Sequence, residues 1–172
     1  MAITYRTLPV PAFVEHTAMV PAGAVTIGVE YRHLDEAVIL RFYGPDARAK
    51  FDNVAPAGMT GVVEEDGIAL HVFGADDGAE LLRFDCFADA PHFHHLDPHE
   101  PRNVVHELDP ATCGDPVEWA LGQIEHRVAE MLREAGAASV AARVDPAVIA
   151  AAMPAVRAEV ARMQAAGAPV IV

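Results

Sequence analysis

Cysteine is nearly missing from this chain: 172 residues carry only Cys86 and Cys113, with no Cys-x-x-Cys spacing. That excludes a disulfide framework and a zinc-knuckle pattern, and it suits a reducing cytoplasm. Long apolar runs are missing too. The longest, "AVIAAAMPAV", falls far short of the roughly 20 residues a transmembrane helix needs. The opening "MAITYRTLPVPAF" has no basic patch leading into an apolar run, so no secretory leader is expected and the cytoplasm is the expected location. Bases are scarce in one window: from Thr60 to Glu118 fourteen Asp and Glu face only Arg83 and Arg102. The formal net charge is −13, and nearly all of the excess lies in that window. Such a field repels phosphate backbones and anionic lipid, which argues against nucleic-acid and membrane partners, and it attracts cations.

What is present is apolar material. Hydrophobic residues make up 52% and charged residues 22% of the chain, enough to offset ordering entropy without disulfides or a structural metal. A single domain over residues 1–172 is expected, mainly β over residues 20–110. "AVTIGVEYRHL" and "AVILRFY" are rich in β-branched and aromatic residues around "HLDEA", and read as an antiparallel hairpin. "GPDARAKFDNVAPAGM" reads as a long loop. The clearest hairpin is "GIALHVFGADDGAELLRFDCF", turning at Asp76-Asp77-Gly78. Its register stays open: a two-residue loop sets His71 across from Phe84, whereas a three-residue loop with a bulge brings it near Arg83 and Asp85. "HFHHL" and "NVVHEL" are two further short strands.

The character then changes to helix. Asp115-Pro116 and Glu118 open an amphipathic helix over residues 115–136, with Val117, Leu121, Ile124, Val128 and Leu132 along one stripe. Asp145-Pro146 opens an Ala-rich helix over 145–166, which Pro154 is expected to kink or split. The fold class expected is therefore α+β, an antiparallel sheet of about six strands with C-terminal helices packed on one face. The Ala-rich helix and the apolar tail "APVIV" are the expected contact of a homodimer.

Four of the nine histidines fall between His92 and His99. On a strand, His92 and His94 share one face while Phe93 and His95 share the other. A His-x-His pair supplies two imidazoles to a first-row divalent ion such as zinc, iron, manganese or nickel. A third ligand would come from His71, Asp85, His99, Glu100 or His106. Asp85 and His71 are also the candidates for catalytic acid-base work. The competing reading is that these histidines only hydrogen-bond backbone or carboxylates, since no spacing here is diagnostic. The cupin pattern is not met: five residues separate His94 from Glu100, and no second His and Asn motif follows. Arg83 and Asp85 share a strand face opposite Phe84 and Cys86, and Cys86 reads as a packed small hydrophobe. Trp119 reads as an anchor against the sheet.

The stretch "GIALHVFGADDGAELLRFDCFADAPHFH" resembles an uncharacterised bacterial domain family in which a similar hairpin precedes a Pro-His-aromatic-His element and a terminal amphipathic helix. The resemblance covers about residues 20–136. It implies one folding unit and brings no activity, cofactor or partner. Two readings of function follow: a small metal-binding protein, in its sharper form a metal-dependent enzyme acting on a small polar molecule, or a non-catalytic dimeric accessory domain.

Overall fold

A computed structural model describes residues 2–5, 8–45, 65–97, 99–100 and 102–167. Seven strands, β1 (Ala2–Tyr5), β2 (Thr17–Ala22), β3 (Val25–Leu34), β4 (Glu65–Gly74), β5 (Glu80–Phe87), β6 (His92–Asp97) and β7 (Arg102–Glu107), make one sheet. Every pairing is antiparallel, in the order β1-β7-β6-β5-β4-β3-β2. The helices are α1 (Glu36–Tyr43), α2 (Pro110–Cys113), α3 (Pro116–Glu134), α4 (Ala138–Ala141) and α5 (Pro146–Ala166). The class is α+β, as the sequence predicts.

One expectation needs correction, and two are made more definite. "AVILRFY" is not a strand but lies in α1, because the Asp35 carboxylate accepts from the Val38 amide and caps a helix there; its β-branched content was outweighed by that cap. The partner of β3 on one side is instead β2, through a turn at Gly23 with φ +71°. With β1 added at the far edge, the strands among the described residues number seven, in keeping with the expected sheet of about six. Finally, α5 runs through Pro154 as one element, so of the two outcomes expected there the helix is not split. Pro154 and Ala150, whose carbonyl loses its partner, both lie on the exposed side of α5, where water can take the freed acceptor. The expected loop over "GPDARAKFDNVAPAGM" and the tail "APVIV" lie outside the described residues, apart from Gly44 and Pro45.

One sheet face is apolar. Val25, Ile27, Val29, Ile68, Leu70, Val72, Leu82 and Phe84 alternate inward along β3, β4 and β5 and meet the stripe of α3 (Val117, Leu121, Ile124, Val128, Leu132) and Ile149, Met153, Val156 and Val160 of α5. Each such side chain, fully buried, contributes about 1.5–3 kcal/mol. Asp115 caps α3 by accepting from the amides of Val117 and Glu118. Trp119 packs against Phe84 and Phe93, with ring centroids 6.1 and 5.6 Å away.

The opposite face is polar yet buried, and a bulge aims it. Phe73 pairs with Glu80 while Val72 pairs with Leu82, so Leu81 is an extra residue in β5. In a regular strand Glu80 and Arg83, three apart, would point to opposite faces, and the bulge brings them to the same one. His71 therefore faces Arg83, the bulged register of the two left open by the sequence. Gly28 lies on this face across from His71, where an added Cβ would come 2.8 Å from Phe73 Cε2, 2.9 Å from Thr17 Cγ2 and 3.2 Å from His71 Cβ. Gly28→Ala should therefore destabilise the protein by about 1–3 kcal/mol. Urea denaturation would measure this, and an unchanged midpoint would contradict the packing.

Candidate metal centre

The polar face holds two groups joined at Arg83. In the first, His71 donates from Nδ1 to Glu80 Oε1 at 2.7 Å and from Nε2 to Glu30 Oε2 at 3.0 Å. Both partners are carboxylates, so both nitrogens carry protons and the ring is an imidazolium. Burial alone would lower the His71 pKa, but the hydrogen bonds to Glu30 and Glu80 outweigh it and raise the value. Arg83 forks onto Glu80, Nε to Oε1 at 2.8 Å and Nη2 to Oε2 at 2.7 Å, and Arg32 meets Glu30 at 3.1 Å. The Val10 carbonyl accepts from both Arg32 and Arg83, and Pro11 accepts from Arg32. Residues 8–13 are thus strapped across the sheet, beside α1, whose Tyr43 hydroxyl donates to the Leu8 carbonyl.

The second group is Asp85, His92 and His94. Asp85 on β5 stands across from His92 on β6, and Arg83 stands across from His94. The Nε2 atoms of His94 and His92 lie 2.9 and 3.4 Å from the same Asp85 Oδ2. Each ring is held from behind: His92 Nδ1 donates to the Ala90 carbonyl at 2.8 Å, and His94 Nδ1 donates to Asn103 Oδ1 at 2.7 Å. Those acceptors place the protons on Nδ1 and leave the Nε2 lone pairs aimed at a carboxylate oxygen. Lone pairs and an anion repel, so the contact is satisfied only by a second proton on a ring or by a cation among the three. Burial lowers the His94 pKa despite the Asp85 carboxylate and so resists that second proton. Burial would raise the Asp85 carboxyl, yet the His92 and His94 imidazoles beside it hold it well below the usual range. Asp85 Oδ1 is buried without a hydrogen-bond partner. One ligand atom from each of the three residues lies within 4.8 Å of the others, a grouping that could hold a metal ion.

The other sequence candidates are elsewhere. His71 belongs to the ionic group, with both nitrogens committed, so neither the ligand role nor a free acid-base role suits it. His99 and Glu100 are exposed in the turn after β6, their amides donating to Asp97. His106 lies on the helix-covered face, stacked on Phe93 at 4.4 Å. Cys86, partly buried on that face, has its thiol pushed up first by burial and then by Asp85. The residues that sequence reasoning missed are Glu30, Glu80 and Asn103. Only Glu80 carried a signal, its place three residues before Arg83 on a strand whose hairpin had two candidate registers.

Among the described residues no helix is long and apolar enough to cross a membrane. Residues 19–160 match the model of a domain of unknown function, DUF7700, and the chain belongs to that family. No curated protein matches the chain, and no solved structure does.

The His71 imidazolium gives a pH dependence with a definite sign. Its folded pKa is raised above the unfolded value of about 6.5, so its contribution is complete below that pH and is lost as pH rises through the folded value. Wild-type stability should fall between about pH 6.5 and the raised value, and His71→Gln should remove that slope. Urea denaturation across the range checks it; equal slopes in both proteins would refute the imidazolium.

Proposed function

We propose that this domain binds a divalent first-row cation through the Nε2 atoms of His92 and His94 and the carboxylate of Asp85. The observation that carries the reading is the convergence of both Nε2 atoms on one Asp85 oxygen while both Nδ1 atoms are committed to carbonyl oxygens. Two imidazoles and one carboxylate suit zinc, iron, manganese or nickel alike. Metal-free acid-base use is less well supported, because it requires a second proton on a buried ring beside another imidazole 4.9 Å away. Three protein ligands leave coordination positions for water or a small polar molecule. His92, with 16% of its side chain exposed against 6% for His94 and 4% for Asp85, marks the side from which such a molecule would come. A cation here would supply Lewis acidity and a bound water of lowered pKa, which suits hydrolysis or hydration. Asn103 and the Ala90 carbonyl would then serve as positioning groups.

Untagged protein purified without chelator should carry at least one equivalent of metal by mass spectrometry, and His92→Ala/His94→Ala should carry one fewer while keeping its far-ultraviolet circular dichroism. Free metal at a hundred times the Kd should stabilise the wild type by about 2.7 kcal/mol. Protein that neither retains metal nor takes up zinc, iron(II), manganese or nickel would overturn the reading.

A further inference from the structure

The Asp85 group has one atom that its neighbours leave unanswered. His92 and His94 both bring Nε2 to Asp85 Oδ2, while Asp85 Oδ1 is buried without a hydrogen-bond partner. An ionised carboxylate oxygen accepts and never donates, so Oδ1 calls for an N–H or O–H from elsewhere. Arg83, two residues back on the same strand face, is already engaged: Nε and Nη2 go to Glu80 and Nη1 to the Val10 carbonyl. The surroundings on the more exposed side, at His92, are acidic and apolar. Glu107 stands across from His92 on β7 and shares its face, and Asp89 is exposed in the turn between β5 and β6. Phe87, the next residue of β5 on that face, meets the His92 ring edge-on at 6.0 Å.

We infer that the Asp85 group selects a small uncharged molecule that presents an N–H or O–H at its metal-binding atom, such as a neutral amine, amide or alcohol, over carboxylates and phosphates. The inference rests on the reading that Asp85, His92 and His94 hold a cation. The two carboxylate oxygens share one carbon, so with Oδ2 on the ion a donor carried by another ligand of that ion comes within reach of Oδ1. A ligating carboxylate commonly takes its second partner in this way. Bound water has such donors, and an uncharged molecule that replaces it keeps Oδ1 satisfied. A carboxylate or phosphate brings lone pairs instead, leaves Oδ1 unmatched and meets Glu107 as a like charge. The cation beside Asp85 does not offset this, because Arg83 is held bidentate by Glu80.

The test loads the full chain with Co²⁺ and follows its visible absorption while hydroxylamine or azide is added. Hydroxylamine is uncharged at neutral pH and rich in donors; azide is a small anion with none. Wild-type protein should bind hydroxylamine at least tenfold more tightly than azide. Asp85→Asn keeps the shape of the side chain but replaces one acceptor oxygen by a donor, and should cut that ratio at least tenfold. Azide bound as tightly as hydroxylamine by the wild type, or a ratio unchanged in Asp85→Asn, would overturn the inference and leave the metal site standing. Should Asp85→Asn not retain Co²⁺, the wild-type comparison decides alone. Wild-type protein that shows no visible cobalt bands before either ligand is added would overturn the metal reading and this inference together.

Discussion

The arrangement of both sheet faces depends on one extra residue in β5. Side chains alternate along a strand, so the insertion of Leu81 opposite the Val72–Phe73 step decides which face every neighbouring residue takes. With it, Glu80, Arg83 and Asp85 stand on the polar face while Leu82 and Phe84 stand against the helices. A strand continuing from the Phe73–Glu80 pair without it would set Leu82 opposite His71 and turn Arg83 and Asp85 to the other face. The bulge thus lets a strand donate an uninterrupted apolar row to one layer and three charges to the other.

The cost of burying those charges is met by mutual pairing. Glu30, Arg32, His71, Glu80 and Arg83 alternate in sign around shared oxygens, and the chain's own carbonyls at Val10 and Pro11 take further guanidinium protons, with Arg32 Nε alone in this group left without a partner. Pairs of this kind add little net stability against an apolar substitute, but removing one partner costs about 3–5 kcal/mol. They hold a single arrangement in place. Ala69 separates Glu30 from Asp85 in one cross-strand row, and Arg83 separates His71 from His94 in the next. The histidine and aspartate group therefore inherits rigid neighbours on the β5 side.

Much of this was legible beforehand. The α3 stripe, its Asp-Pro start, the hairpin turning at Asp76-Asp77-Gly78 and the split of His92 and His94 from Phe93 and His95 follow from periodicity and turn chemistry, and all are present. What periodicity does not encode is pairing across distance. Asp85 could be named as one ligand among five, but only the β5–β6 register places it opposite His92, and only β7 brings Asn103 behind His94. "EAVILRFY" was misleading because a short apolar run suits strand and helix alike, and a single capping carboxylate settled it. β1 was missed for the opposite reason: four residues at an edge carry too little pattern to announce themselves.

The strap at Val10 changes where this domain can be cut. The family match begins at residue 19, yet β1 closes one edge of the sheet, and the Val10 and Pro11 carbonyls hold two guanidiniums no more than 1% exposed. A fragment trimmed to the matched residues would strip those acceptors from Arg32 and Arg83 and open the polar face to water. The physical boundary of the unit lies upstream of the one that sequence similarity draws.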